Sequence, residues 1–183
     1  MAAALAWTPA EAEQASRRAQ QARSEAAQRS TAVKPAFFTA HEYATVVVLV
    51  DLIIPRDDRS GSATDAGVPE FIDFMMIDQR RRQTAMRGGL ALIDRIASSR
   101  YDKRFVECGD DERRAILDEI AETSNADPSL TQAIAFFNSF RDLTASGFWT
   151  SRIGVQDLQY QGNQFVTEWT GCPDVVLKKL GVG

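Results

Sequence analysis

Few residues in this chain are equipped for chemistry, and their spacing narrows the choice further. There is a single histidine, His41, and there are two cysteines far apart, Cys108 and Cys172. That inventory excludes, from this chain alone, a multi-histidine metal site, a Cys-x-x-Cys redox pair, a haem-attachment motif and an iron–sulfur cluster. His41 stands beside Glu42 in the first turn of a helical pattern with no nucleophile near it, so no triad is expected. Asp57, Asp58, Asp65 and Glu70 could offer oxygens to calcium, or serve as acid and base on a substrate. Their spacing does not match an EF-hand loop, and a solvated acidic turn is the expected structure. Asp51 sits among Val50, Leu52, Ile53 and Ile54, where an unpaired charge is expensive. It either faces solvent or has an arginine partner such as Arg56.

Arg80, Arg81 and Arg82, followed by Arg87, Arg95, Arg100, Lys103 and Arg104, form the largest basic cluster. A nucleic-acid surface would need interleaved stacking aromatics and a positive domain. The chain has 21 Lys+Arg against 25 Asp+Glu, a net charge of −4, so no nucleic acid is expected and the arginines should make ion pairs. No G-x-G-x-x-G occurs, and no flavin or nicotinamide is expected to bind by such a motif. No stretch approaches the roughly 18–20 apolar residues of a membrane-spanning helix.

Cys108 and Cys172 are compatible with one disulfide, tying the C-terminal segment to a loop between helices in an oxidising compartment. Two free thiols are the other reading. The most informative stretch is the aromatic, glycine-rich end of the chain. Phe148, Trp149, Tyr160, Phe165 and Trp169 crowd a segment with little regular structure to bury them. Such residues either wrap their own helices or adhere to another protein.

The elements that must position these residues are helical. The 183 residues suit one domain with an appended tail. Residues 1–34, rich in Ala, Gln and Arg, form an extension that opens at Thr8-Pro9 and offers only a narrow alanine stripe. It is helical by propensity but poorly anchored by packing, and is expected to be disordered or laid along a partner. Residues 35–183 form a single helical domain. Thr39-x-x-Glu42 is a capping box for a helix from about Ala40 to Ile54, with Phe38 and Tyr43 as its staple. A second helix begins at Pro69 and is expected to break near Gly88-Gly89. A third runs from Asp110, as cap, to about Thr123, with Arg113 outward and Ile116, Leu117 and Ile120 inward. A fourth opens at Asp127-Pro128 and ends at Gly147. Beyond Gly147 at most two short helices are expected. The fold class is all-α: an irregular helical bundle with a Gly/aromatic-rich, largely coil C-terminal segment.

Two ordered blocks of residues carry a resemblance. Phe38-Thr39-x-x-Glu42, Val50-Asp51-x-Ile53-Ile54-Pro55-x-Asp57-Asp58 and Ala66-Gly67-Val68-x-Glu70-Phe71-Ile72-Asp73 resemble the opening of the gluconate 2-dehydrogenase subunit 3 family. Gly147-Phe148-Trp149-Thr150, Gly154, Asp157-Leu158-x-Tyr160-x-Gly162-Asn163 and Gly171-Cys172-Pro173 are similar to its closing motif. The resemblance implies a non-catalytic small subunit without a cofactor of its own. It would accompany a large FAD-containing subunit of the glucose–methanol–choline (GMC) type, and in some complexes a cytochrome c subunit carrying haem c. Such complexes oxidise sugars, sugar acids or glycosides in the bacterial periplasm. Family members typically carry a twin-arginine signal that exports the loaded large subunit with them; here Arg17-Arg18 is followed by no apolar stretch. By this reading the aromatic C-terminal segment and the N-terminal extension grip the large subunit. A stand-alone sugar-binding module, its aromatics lining a pocket, is the alternative.

Overall fold

The hydroxyl of Thr39 accepts a hydrogen bond from the Glu42 amide at 3.2 Å, and the Glu42 carboxylate accepts from the Thr39 amide at 2.8 Å. This reciprocal cap starts helix α2 (Ala40–Ile53) in the computed structural model. The structure describes residues 8–28, 33–121, 128–160, 168 and 171–181. The valine-rich run of α2 suits a strand by propensity, yet Val46, Leu49 and Val50 fall at i, i+3 and i+4 and are fully buried. Burial of one helical face, begun by a fixed first turn, outweighs the propensity.

Gly67, at φ 83°, turns the chain into α3 (Val68–Asp78), whose second residue is Pro69. The next interruption is not where the glycines suggest. The chain breaks after Asp78 into a 3-10 turn, Arg80–Arg82, and α4 (Gln83–Tyr101) runs straight through Gly88-Gly89. Gly89 is a crossing point: a Cβ there would lie 1.9 Å from the ring of Phe136 on α6 (Thr131–Trp149). Gly147 likewise lies inside α6 instead of ending it, because the Phe71 ring of α3 sits 2.7 Å from its absent Cβ. Glycine here admits a neighbouring ring where a side chain would hold two helices apart.

α5 (Asp110–Ala121) buries Ile116, Leu117 and Ile120 as its periodicity requires. Arg113 departs from expectation. Its guanidinium folds back to donate to the carbonyls of Phe105 and Val106, and pairs with Asp110. Both carbonyls belong to the 3-10 turn Phe105–Glu107, where the Phe105 carbonyl also accepts from the Cys108 amide at 3.2 Å.

The extension at the N-terminus forms α1 (Pro9–Gln28), opened by reciprocal bonds between Thr8 and Glu11. Its alanine stripe, Ala12, Ala15 and Ala19, is buried, and α1 packs on α3 of its own chain. Ser16 bonds Thr150 at 2.8 Å, Arg18 pairs with Asp78 at 3.1 Å, and Arg23 donates to the Thr64 carbonyl at 2.7 Å. The expected disorder of this segment is therefore corrected: it is a helix, small side chains let it approach closely, and three polar contacts fix its register. Asp73 of α3 supports the same corner by accepting from the amides of Ala36, Phe37 and Phe38.

Two short helices follow, α7 (Arg152–Asp157) and α8 (Asp174–Leu180). Among the described residues every regular element is helical, and the fold is all-α. The largely coil C-terminal segment expected from the sequence falls mainly on residues outside the described set.

Candidate functional site

A cleft is built by α2 and α4. Thr39, His41, Glu42, Thr45, Arg87 and Asp94 supply its polar wall and Leu90 and Ala91 its floor, around some 240 Å³. His41 Nε2 meets Asp94 Oδ2 at 2.5 Å, and the other Asp94 oxygen accepts from the Phe105 amide at 3.0 Å. Arg87 holds both Glu42 oxygens at 2.7 Å, donates to the Phe37 carbonyl, and lies over the Phe37 ring at 4.4 Å. The two threonine hydroxyls are already engaged: Thr39 by the Glu42 amide, Thr45 by donating to the His41 carbonyl. The arrangement therefore ties α2, α4 and the turn at Phe105 together. Sequence reading treated His41 and Arg87 separately, because Asp94 lies far along the chain and nothing local announces it. Of the singled-out aromatics, Phe148, Trp149 and Tyr160 do not line this cleft.

The acidic loop organises itself. Asp57 accepts from the amides of Arg59 and Ser60, and Asp65 takes the Ser62 amide and the Arg56 guanidinium. These bonds hold both carboxyls below their usual range. Asp51, half-buried, accepts from the Thr64 amide at 2.7 Å, while Arg56 pairs with Asp65. Glu70 is buried beside Tyr43, whose hydroxyl is pushed up by burial and then by the Glu70 charge. Among the described residues no three His, Cys, Asp or Glu side chains converge as metal ligands. Half of the basic cluster resolves into ion pairs: Arg87–Glu42, Arg100–Glu119, Lys103–Glu112 and Arg104–Glu107.

Glu107 gives a pH dependence. The Arg104 side chain and then the Arg104 amide hold its carboxyl at about 2. A carboxyl lowered in the folded state stabilises fully above its unfolded value, near 4.5, and stops doing so as pH falls through about 2. Glu107→Gln should therefore have a lower urea midpoint than the parent chain at pH 7, and the gap should close between about pH 4 and pH 2. A gap constant across that window would show that the pair adds nothing to folding.

The expected disulfide is not formed. Cys108 is buried, its thiol donates to the Arg104 carbonyl at 3.5 Å, and burial followed by the Glu112 charge pushes it up. Cys172 is exposed beside α8, and both cysteines are free. Packing against its own turn, Cys108 presents no sulfur to the surface.

The aromatic end divides. Phe148 is a core residue, buried and stacked edge-on against Trp149 with ring centroids 4.9 Å apart, so its expected interface role is corrected. Trp149 is 38% exposed and Tyr160 64%. Phe165 and Trp169 lie outside the described residues. Further apolar side chains are exposed: Val155 and Leu158 on and after α7, the latter 55% exposed, and Val175, Val176 and Leu180 on α8. Their signal was faint, since a lone valine or leucine at a short helix looks the same whether it turns in or out.

Gln159 and Tyr160 close α7 in a fixed shape. Gln159 takes a left-handed conformation at φ 53°, and the Tyr160 amide reaches back to the Val155 carbonyl at 3.2 Å. This Schellman-type ending sets Tyr160 and Val155 on the same side of the turn. Arg59 braces it from the acidic loop by pairing with Asp157 at 3.1 Å.

Comparison with curated proteins and with solved structures finds no match. Comparison with protein families finds one: the model described as gluconate 2-dehydrogenase subunit 3 matches residues 40–167. That span runs from the first residue of α2 past the end of α7, and so includes the cleft, the acidic loop and the surface from Trp149 to Tyr160. The chain belongs to the gluconate 2-dehydrogenase subunit 3 family.

Proposed function

We propose that this chain is a non-catalytic small subunit that holds the FAD-containing, GMC-type catalytic subunit of a sugar or sugar-acid dehydrogenase, and escorts it into the periplasm. The observation that carries this reading is the confinement of exposed apolar surface. Among the described residues, every large hydrophobic side chain left exposed lies between Trp149 and Leu180. Exposed apolar side chains concentrated in one stretch are the ordinary mark of a surface that another protein covers. Membership in a family of dehydrogenase subunits supplies the class of partner. The chemistry is left to that partner, and where a cytochrome c subunit is present the electrons pass onward to its haem. This chain contributes area and shape.

The test is reconstitution with the catalytic flavoprotein subunit. Leu158→Asp combined with Tyr160→Asp replaces two exposed side chains, so the variant should fold normally. It should lose most of the flavin absorbance that co-elutes with the parent chain. Undiminished flavin retention by the double variant would overturn the reading.

A further inference from the structure

Helix α1 contains no valine, leucine, isoleucine, methionine or aromatic residue. Burying alanine methyls removes little apolar surface from water, so the polar bonds of α1 decide where it lies. Two of them lead to the corner between α6 and α7, which carries the exposed side chains of Trp149, Leu158 and Tyr160. The first is direct. The buried Ser16 hydroxyl lies 2.8 Å from the Thr150 hydroxyl. Thr150 already donates its one proton to the Ser146 carbonyl at 2.7 Å, so Ser16 is the donor of the pair. Thr150 stands between Trp149 and Ser151, and Ser151 caps α7 by accepting from the Gly154 amide at 3.0 Å.

The second bond acts through the acidic loop. Arg23 donates to the Thr64 carbonyl at 2.7 Å. Earlier in the same loop, Arg59 donates to the Asp157 carbonyl at 2.9 Å and pairs with its carboxylate, at the last residue of α7. The Arg56–Asp65 pair and the bonds from the Arg59 and Ser60 amides to Asp57 join these two ends into one unit. Helices shorter than about 12 residues are marginal in water. With six residues, α7 depends on such supports for its placement.

We propose that Ser16 and Arg23 are positioning residues for partner binding: from α1 they hold the α6–α7 corner in the shape that the catalytic subunit engages. This rests on the function proposed above, and gives a role to a helix that lies outside the family match. A surface that is fixed before it binds loses less freedom on association, so loosening the corner costs affinity.

The test compares full-length variants by their affinity for the recombinant catalytic subunit and by the amide NMR spectrum of the chain alone. Ser16→Ala with Arg23→Ala keeps good helix formers in α1 and should retain the helical circular dichroism. It should bind about tenfold more weakly and shift the amide resonances of Val155, Leu158 and Tyr160. Ser16→Ala alone, the milder variant, should cost about threefold. Thr150→Ser keeps the acceptor and should bind like the parent. Adding Ser16→Ala to Thr150→Ala should cost nothing beyond Thr150→Ala, because the bond is already gone. A variant pair that lowers only the thermal midpoint, with parent-like affinity and α7 resonances, overturns the positioning role and leaves the Leu158 and Tyr160 surface standing. Independent, multiplying losses from Ser16→Ala and Thr150→Ala would overturn the Ser16 link. Failure of the parent chain to bind the catalytic subunit would overturn both readings.

Discussion

Gly154→Ala should destabilise the chain by about 3 kcal/mol or more, which for a domain of this size lowers the thermal midpoint by about 6–12 °C. The added Cβ would fall 2.1 Å from the carbonyl oxygen of Phe148 and 2.9 Å from the Cα of Trp149. Both are backbone, and neither can step aside by changing rotamer. The Ser151 hydroxyl, which accepts from the Gly154 amide at 3.0 Å and donates to the Phe148 carbonyl, pins the turn from the other side. The α6–α7 corner would have to open, and Trp149, Leu158 and Tyr160 would move with it. The variant should therefore lose partner binding as well as stability. Gly88→Ala is the matching control: nothing lies within 4 Å of its Cβ position, so at this exposed helical site alanine should stabilise by roughly 0.5–1 kcal/mol. Thermal unfolding followed by helical circular dichroism separates the two. Equal midpoints for both variants would mean that the close approach at Gly154 is not maintained in solution.

Asp73→Ala should cost a similar amount, about 3–5 kcal/mol. The buried carboxylate accepts three backbone amides, Oδ2 from Ala36 at 2.8 Å and Oδ1 from Phe37 and Phe38 at 3.0 Å. Alanine leaves three donors without their acceptor, the Phe38 amide among them buried, and Phe38 and the start of α2 lose their anchorage. Asp73→Asn should fall between alanine and the parent. Its carbonyl can still take the Phe37 and Phe38 amides, but its NH₂ group then faces the Ala36 donor. Urea unfolding of the three chains should rank them Asp, Asn, Ala. A ranking in which asparagine matches the parent would show that the Ala36 bond contributes nothing.

The capping box at Thr39 and Glu42 and the buried faces of α2 and α5 were legible because each signal lies within a turn or two of the residues it controls. The glycines were misread for the same reason. Gly89 and Gly147 carry a local tendency to end a helix, while their actual role is set by Phe136 and Phe71 on other helices. Arg113 and Asp51 were assigned ordinary partners, an outward face and an arginine. Each instead satisfies backbone groups in a loop that becomes its neighbour only on folding. The alanine stripe of α1 was visible, but its destination on α3 was not, because small residues bear no mark of what they pack against.

The family and the all-α class were therefore present in the order of the residues, since both depend on short-range patterns and on motifs. Which aromatic was core and which was surface depended on packing: Phe148 and Trp149 are adjacent in sequence, and helix geometry turns one into the protein and the other outward. The His41–Asp94 and Arg87–Glu42 pairs likewise needed α2 and α4 side by side before they could exist. So did the free state of Cys108, whose sulfur is buried against its own turn. Local chemistry is written along the chain, whereas partners distant in sequence are chosen by burial, which no single stretch of residues can specify.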